Sequence, residues 1–355
     1  MTTTQSIEQP GGVVVGVDTH QRTHHVAVLD TAGRILADAE FPATAAGCAM
    51  LTAWASEFGE IRAFGIESTG SYGAGLARHV LAEGGDVLEV NRPNVADRAR
   101  HGKSDPLDAI AAARAVLAGT ATARPKATTG VVETIRVLKT ARDGAVKART
   151  AALAQLRDLI TTAPAVLREE LLPLTARARV TRSAALRPDP VRLASDPAHA
   201  ARHALRALAR RIMHLDEEIA DADAHLDALV ARTAPTLIAR PQIGTQTAAQ
   251  LLITAGQNLD RLHSEAAFAK LTGTAPIPAS SGKTRRMRLS RGGDRQANKA
   301  LHLIAVGRLK AHPETRAYLE RRTREGLSKL DILRCLKRAI ARETYHALKT
   351  DLLQT

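Results

Sequence analysis

The order of apolar and polar positions predicts an α/β domain over residues 13–120. Apolar, β-branched runs at 13–19 and 24–30 are joined by a short polar link, a pattern typical of a hairpin of two strands. The other predicted elements are strands at 34–43, 62–69 and 86–91 and helices at 44–58, 73–85, 93–101 and 105–118. Three strands therefore come first, and helices and strands alternate after them.

An apolar seam at alternating spacings of three and four predicts a long helix in the middle of the chain. The seam consists of Leu205, Leu208, Ile212, Leu215, Ile219, Ala222, Leu226 and Leu229. A second helix is predicted over 131–160, although Arg142 and Arg149 occupy its best seam positions. We expect an antiparallel hairpin or coiled-coil arm over 131–233, with 173–200 at its tip. An ordinary helical bundle is the alternative.

Residues 234–355 predict a smaller, mostly α domain. In RPQIGTQTAAQLL (240–252), a proline and a glycine precede a helix start, which resembles the hairpin of a helix-hairpin-helix element. Gly244 would let backbone N–H groups approach a DNA phosphate there. A loop at 273–295, rich in Gly, Pro, Ser and Arg, is followed by helices to about Lys349.

The charge is divided unevenly, which points to two kinds of ligand. The net charge is +14, but residues 1–108 hold 8 Lys/Arg against 14 Asp/Glu. The other 42 basic and 22 acidic residues give 109–355 a net charge of +20. An acidic third followed by a basic two-thirds indicates separate metal-binding and phosphate-binding parts. Aromatic residues are only 2%, so base stacking on aromatic rings is not expected to be the main binding mode.

The remaining composition indicates a globular protein of two or three domains. Cys48 and Cys335 lie far apart without CxxC spacing, which excludes a disulfide framework and a cysteine-based zinc site. No apolar run has the length of a membrane span, and residues 1–12, an expected disordered tail, lack a signal-peptide core. We therefore expect a cytoplasmic protein that has no membrane partner and associates with the nucleoid when bound to DNA.

Four carboxylates are the strongest candidates for chemistry. Asp18 lies near the end of the first predicted strand, and Glu67 near the end of the fourth. Asp105 and Asp108 lie at a helix start, where their i, i+3 spacing puts both on one face. Converging carboxylates repel one another unless a divalent ion neutralises them, and hard oxygen ligands suit Mg²⁺ or Mn²⁺.

Each of these residues has a simpler interpretation when taken singly. Asp18 could cap a turn, and Asp105 could be only the N-cap of a helix with Pro106 in its first turn. The four in this order are much harder to obtain by chance. His20, His24 and His25 lie close to Asp18, and we expect surface or packing roles for them ahead of metal binding.

A second candidate constellation is a basic segment after a Ser-Gly pair. Its cations are Lys283, Arg285, Arg286, Arg288, Arg291, Arg295 and Lys299. Such a segment is either a phosphate-binding strip or a solvated loop, and its density and glycine content favour the strip. Ser281 precedes it and could attack a phosphodiester, because guanidinium groups stabilise the charge that develops. Ser-Gly pairs are also ordinary in loops.

These motifs resemble the insertion-sequence-110 type transposases, also called DEDD transposases or bridge-RNA-guided recombinases. The N-terminal resemblance lies in GVDTH, GIESTGSYG, VNRPN and KSDPLDA. The C-terminal resemblance lies in RPQIGTQTA and LTGTAPIPASSGKTRRMRLSRGGDRQANKALH. Together these cover most of 13–118 and 235–345 in the family's order, whereas the central arm offers no motif to check.

The resemblance implies an RNase H-like, RuvC-like domain whose Asp18, Glu67, Asp105 and Asp108 bind Mg²⁺. It implies a C-terminal transposase domain whose serine, matched here by Ser281 or its neighbour Ser280, becomes linked to a 5′ phosphate of DNA. It further implies donor and target double-stranded DNA, a structured bridge RNA that pairs with both, and a homo-oligomer, a dimer or a tetramer on DNA. In the family, the carboxylates and the serine of one active centre come from different subunits.

Three other functions would explain part of the sequence. A metal-dependent nuclease or Holliday-junction resolvase would use the four carboxylates with water as nucleophile, but it needs no basic Ser-Gly loop. A DNA-bridging architectural protein would explain the charge and the arm, but not the carboxylates. An actin-like or sugar-kinase ATPase would need glycine-rich phosphate loops, which we do not find.

Overall fold

The computed structural model describes residues 12–90, 104–282, 287–290 and 292–353, without the side chains of Asp260 and Leu289. The chain forms two compact units. The first comprises the chain up to Thr129 together with Ala255–His263, and the second comprises Gly130–Thr254 and the chain from Ser264 onward. Among the described residues, no helix combines the length and the apolar character that crossing a membrane requires.

The first unit is built on a mixed five-stranded sheet. Its strands are β1 (Val13–Thr19), β2 (Thr23–Asp30), β3 (Ile35–Pro42), β4 (Ile61–Glu67) and β5 (Val87–Val90). The order across the sheet is β3-β2-β1-β4-β5. The pairs β1–β2 and β2–β3 are antiparallel, whereas β1–β4 and β4–β5 are parallel. This arrangement is consistent with an RNase H-like domain.

Both faces of the central strands are buried, and each packs against different helices. The helices of this unit are α1 (Ala45–Ser56), α2 (Ala74–Ala82) and α3 (Asp105–Leu117). Val13, Val15 and Val17 join the core that includes α1 and α2. Val14 joins the core formed with α3. Because successive side chains of a strand point to opposite faces, Gly16 and Asp18 lie on the α3 face of β1.

The strand predictions are confirmed, and their observed ends differ by at most two residues among the described positions. The predicted N-cap of α3 is wrong by one position, because Ser104 is the N-cap and Asp105 begins the helix. The helix predicted at 93–101 and the tail expected at 1–12, apart from its last residue, lie outside the described residues.

Two long helices dominate the second unit, α4 (Gly130–Thr162) and α7 (Pro197–Thr233). Arg142 of α4 pairs with Asp223 of α7 at 2.8 Å, and Arg149 pairs with Asp216. Because the paired positions run in opposite directions along the sequence, the helices are antiparallel. The two arginines in the predicted seam of α4 are thus matched by aspartates. Short helices α5 (Ala165–Leu171) and α6 (Ala176–Ala184) connect the pair.

The rest of the second unit is mostly helical. Its elements are α8 (Pro235–Ile238), α9 (Thr245–Ala255), α10 (Glu265–Leu271), β6 (Pro276–Pro278), β7 (Met287–Leu289), α11 (Arg295–Ala311), α12 (Pro313–Arg324) and α13 (Lys329–Leu352). β6 and β7 pair antiparallel. Between α9 and α10, the segment Ala255–His263 belongs to the first unit, where Asn258 bonds to the backbone of Pro125 and Ala127.

Candidate active site

Two glycines set how closely α3 approaches the sheet. Gly16 of β1 pairs with Gly65 of β4 in the parallel register. A Cβ added at Gly16 would lie 2.0 Å from the Ala109 carbonyl oxygen, and one added at Gly65 would lie 2.8 Å from that of Ala112. Neither position has room for a side chain, so the backbone of α3 lies directly on the two strands.

Asp18 and Glu67 follow those glycines at the carboxyl ends of the strands. Val17 pairs with Ile66, and Asp18 and Glu67 come next along β1 and β4. Each carboxylate is two residues beyond its glycine, so both lie on the α3 face. Their relative exposures are only 7% each. The register therefore places two buried carboxylates side by side at one edge of the sheet.

The first turn of α3 supplies the other two carboxylates. Asp105 and Asp108 lie one turn before Ala109 and Ala112, the residues whose carbonyls contact the glycines. The helix face that lies on the sheet therefore continues to these two side chains. Asp108 is buried and Asp105 is exposed. The positive end of the helix dipole also stabilises both carboxylates in this first turn.

His20 lies within this acidic group. Its Nδ1 is 3.7 Å from Oδ2 of Asp18, and its Nε2 is 4.0 Å from Oδ1 of Asp105. One possible ligand atom from each of the three residues lies within 4.8 Å of the others. His20 is therefore a candidate ligand, and its half-exposed side chain also fits the surface role expected from the sequence, which stays a prediction. The signal for it was its position two residues after Asp18, in the turn that leaves β1.

The other two histidines have structural surroundings. His24 is buried in β2, and burial, as the largest cause, lowers its pKa below the ordinary value. His25 contacts the Asp38 carboxylate at 2.8 Å across the β2–β3 pair. These contacts fit the packing and surface roles that the sequence indicated for them.

The loop after β4 holds Glu67 in a defined position. The hydroxyl of Thr19 donates a hydrogen bond to the Glu67 carbonyl at 3.1 Å, which ties the ends of β1 and β4 together. Ser68 has a φ of 53°, a left-handed backbone conformation that residues other than glycine adopt at a cost in free energy. The Ser68 carbonyl then accepts from the backbone of Ser71 and Gly73. The chain thus turns sharply directly after the carboxylate.

The donor set fits a divalent cation. Asp18, Glu67 and Asp108 are buried carboxylates at one strand edge, and carboxylates that lie close together are stabilised by a bound cation. The oxygen donors suit Mg²⁺ or Mn²⁺, and the imidazole nitrogen of His20 is a donor that Mn²⁺ accepts more readily than Mg²⁺. These residues can hold a cation that stabilises charge on the oxygens of a phosphodiester.

The candidate nucleophile and the basic residues lie in the second unit. Ser281 is exposed in the connection between β6 and β7. Arg288 lies on β7, and Arg295 begins α11; both are exposed. Gly244 directly precedes α9 and has open space around its Cα. The predicted contacts Lys283, Arg285, Arg286 and Arg291 lie outside the described residues.

The fold and the acidic edge are consistent with an RNase H-like domain that uses a divalent metal. Comparison with known proteins gives the family of the chain. A family model described as "Transposase" matches residues 15–163. A second, described as "Transposase IS116/IS110/IS902 family", matches residues 234–320. Together they match about two thirds of the chain. The chain belongs to the IS110 family of transposases.

Two curated relatives come from insertion elements. The chain is 30% identical over 122 residues to the "Insertion element IS900 uncharacterized 42 kDa protein" of Mycobacterium paratuberculosis, covering 34% of this chain and 31% of that protein. It is 32% identical over 123 residues to the "Insertion element IS110 uncharacterized 43.6 kDa protein" of Streptomyces coelicolor, covering 34% and 30%. The matched segment thus spans less than a third of the length of these relatives.

Proposed function

We propose that this protein is a DNA transposase and recombinase of a mobile element. The observation that carries the proposal is the convergence of Asp18, Glu67 and the first turn of α3 on one sheet edge, in a chain that belongs to a transposase family. In this proposal the chain cuts and rejoins donor and target DNA. The net charge of +20 over 109–355 supports a polyanionic partner.

The proposed cofactor is Mg²⁺ or Mn²⁺, held by Asp18, Glu67, Asp105 and Asp108. When bound, the ion would supply a positive charge for the leaving and attacking oxygens of the phosphodiester. The protein's own contribution is to hold the carboxylates before the ion arrives, through the strand register, the glycine contacts of α3 and the Thr19 bond. His20 is proposed as a further ligand because it faces both Asp18 and Asp105.

The proposed nucleophile is the hydroxyl of Ser281. Its oxygen attacks the phosphorus and gives up its proton, the P–O3′ bond breaks, and the 3′ oxygen takes up one proton and leaves as a hydroxyl, so the number of protons is unchanged. The DNA 5′ phosphate is then esterified to the serine, and the ester conserves the energy of the broken bond. The 3′ hydroxyl of a second strand attacks that phosphorus and releases the serine, so rejoining needs no ATP.

The basic residues around the serine would hold the phosphate. Arg288 and Arg295 both follow Ser281 in sequence, on β7 and at the start of α11, and both are exposed. Guanidinium groups bind phosphate oxygens through two parallel hydrogen bonds and stabilise the charge of the transition state. Gly244 is proposed as a backbone contact to a DNA phosphate in a helix-hairpin-helix element.

Assembly and guidance complete the proposal. The domains proposed are a RuvC-like domain over 13–120, a coiled-coil arm over 131–233 and a transposase domain over 234–355. The antiparallel pairing of α4 and α7 supports the arm, which would serve homo-oligomer assembly. Guidance by a structured bridge RNA is proposed from family membership, with the basic surface as the means of binding it.

Trapping the covalent intermediate tests this function. Labelled DNA is incubated with the protein and Mg²⁺, quenched in denaturant and separated by electrophoresis. We expect a protein–DNA adduct that maps by mass spectrometry to Ser281, and its loss in Ser281→Ala. The matched control, Ser280→Ala, should retain the adduct. An adduct on Ser280 would move the nucleophile by one residue.

The competing function predicts a different result in the same assay. A junction resolvase uses water, so the Ser280→Ala/Ser281→Ala double variant would still cut DNA and would leave no protein on either end. Full cleavage by that variant would replace the recombinase proposal with the nuclease.

A further inference from the structure

A cavity of about 650 Å³ opens within the second unit, between the β6–β7 hairpin and α13. Its apolar lining comes from Pro276, Met287, Leu327, Cys335 and Ala339. The hairpin that forms one wall is also the element whose connection carries Ser281. A molecule in this cavity therefore contacts the β6–β7 hairpin, whose connection carries Ser281.

Arginines form the rest of the lining together with other polar residues. Arg334, Arg338 and Arg342 lie four residues apart on α13, so they share one face of the helix, and Arg288 reaches the cavity from β7. Two carboxylates hold part of this set in place. Asp331 accepts from Arg334 at 2.8 Å, and Glu265 accepts from Arg338 at 3.2 Å.

The cavity is left with a net positive charge. Four guanidinium groups face two carboxylates among its lining residues. Within the described part of the chain, Arg288 and Arg342 have no carboxylate partner. A cavity lined by both arginines and apolar side chains suits a ligand with an anionic group at one end and a flat apolar body at the other. A nucleotide has this form.

We propose that this cavity binds one unpaired nucleotide of the DNA strand on which Ser281 acts. The phosphate would contact Arg288 and Arg342, and the base would lie on Met287, Ala339 and the guanidinium planes. The inference rests on the proposed function, because it takes the strand at the β6–β7 hairpin to be DNA. The cavity would be a second binding site for this strand, and one base of the strand would leave the double helix to enter it.

The base must be withdrawn from the double helix because, within it, stacked neighbours cover both faces of the base and its partner occupies the hydrogen-bonding edge. Proteins that hold withdrawn bases place them between apolar or planar side chains, and guanidinium groups can replace aromatic rings there. The lining contains no aromatic residue, in keeping with an aromatic content of only 2%. The site therefore suits one nucleotide rather than a stacked single strand.

The chain contains a probe for this cavity. Of its two cysteines, Cys335 lies in the lining and is exposed, whereas Cys48 is buried in the first unit. Alkylation by N-ethylmaleimide therefore reports on whether the cavity is covered. We expect a thymidine oligonucleotide to slow alkylation of Cys335 by about tenfold when saturating, because a bound nucleotide excludes solvent from the thiol. Binding of the same oligonucleotide is followed by fluorescence anisotropy in the same sample.

Matched substitutions separate this cavity from general charge effects. Arg342→Gln removes one unpartnered cation and should weaken oligonucleotide binding and the protection of Cys335 by about tenfold. Arg324→Gln, the same change on α12 outside the cavity lining, should leave protection unchanged. Ala339→Phe fills the cavity and should abolish protection. Ala317→Phe, an equal change at an exposed position of α12, should not.

The outcomes distinguish this site from the function on which it rests. An oligonucleotide that binds while Cys335 stays fully reactive would overturn the cavity and leave the recombinase intact. Equal protection of Cys335 by an abasic strand of the same length would show that the site binds only a phosphate, and would overturn the proposal that it binds a nucleobase. Protection by RNA but not by DNA would assign the cavity to RNA. Absence of any binding would overturn both proposals.

Discussion

The two regions proposed to act on DNA are built in opposite ways. The acidic edge of the first unit buries its charges, since Asp18, Glu67 and Asp108 are each at most 7% exposed, and backbone packing fixes them. The arginines of the second unit line a cavity, and ion pairs with Asp331 and Glu265 orient two of them. Fixed, buried carboxylates suit a small cation of defined geometry. Longer, more exposed side chains suit a polyanion whose phosphates vary in position.

The largest expected effect comes from removing a cluster carboxylate. Asp18→Asn should lower DNA cleavage by at least about a hundredfold. Its melting temperature should also rise less on addition of Mn²⁺ than that of the native protein, because the variant has lost one carboxylate of the site. Cleavage assays and thermal unfolding of the same preparation measure both effects. Equal activity in the variant, or in the native protein with excess chelator, would contradict the metal site.

Asp30 is the matched control, because it is also a buried carboxylate at a strand end. It accepts hydrogen bonds from the backbone of Ala32 and Arg34 and from the Arg34 side chain. The bond from the Arg34 backbone, as the largest cause, lowers its pKa. Asp30→Asn should therefore lower the melting temperature and leave cleavage per folded molecule unchanged.

The second effect tests how closely α3 must lie on the sheet. Gly16→Ala should destabilise the first unit by about 1–3 kcal/mol, because the new Cβ meets the α3 backbone and forces it away. Mn²⁺ affinity should fall as well, since Asp105 and Asp108 move with the helix. Gly244→Ala meets open space and should change stability by less than about 1 kcal/mol. Urea unfolding and Mn²⁺ titration measure the pair.

His20 allows a finer test of the same edge. His20→Ala should weaken binding of Mn²⁺ more than that of Mg²⁺, because the imidazole is a better ligand for Mn²⁺. Calorimetric titration with each ion gives the two ratios without requiring activity. An equal loss for both ions would mean that His20 acts through its charge or by positioning Asp18.

The third effect is a dependence of the unfolding free energy on pH that arises from His24 in β2. Burial lowers the pKa of His24 below its ordinary 6.5, so the unfolded chain binds the proton more readily than the folded one. The stability that neutral His24 contributes is present above pH 6.5 and is lost as the pH falls through its lower, folded-state pKa. His24→Gln should flatten the fall of unfolding free energy on acidification. An unchanged profile would assign the fall to other groups.

The smallest effect concerns the salt dependence of DNA binding. Arg288→Gln and Arg295→Gln should each reduce the slope of log affinity against log salt by about 0.9 for duplex DNA, one phosphate contact apiece. Arg157→Gln, an exposed position of α4 that pairs with Asp158, is the control and should leave the slope unchanged. Fluorescence anisotropy over a salt series gives the slopes.

The strands were predictable because their signals are local. An apolar run fixes a buried strand, and the order of the runs gives an α/β arrangement. The four carboxylates were also visible, since each stands where an element ends or begins. The glycines two residues before Asp18 and Glu67 are a further signal in the sequence. A glycine inside a strand marks a close approach of backbone, and here that approach brings α3 to the carboxylates.

Several features depended on contacts that no local pattern encodes. The sequence predicted two long helices in an antiparallel hairpin, but not that Arg142 of one helix pairs with Asp223 of the other. The segment Ala255–His263 follows α9 in sequence yet belongs to the first unit, held there by Asn258.

The amino-acid sequence by itself determined which residues could bind a cation or a phosphate, and which segments would be strands or helices. Both follow from side-chain chemistry and from periodicity over a few residues. Only the tertiary structure decided that His20 faces Asp18 and Asp105. The same holds for the cavity that the arginines of α13 line together with the β6–β7 hairpin. Those arrangements depend on packing between residues far apart in the chain, where burial of apolar surface, rather than local preference, selects the partner.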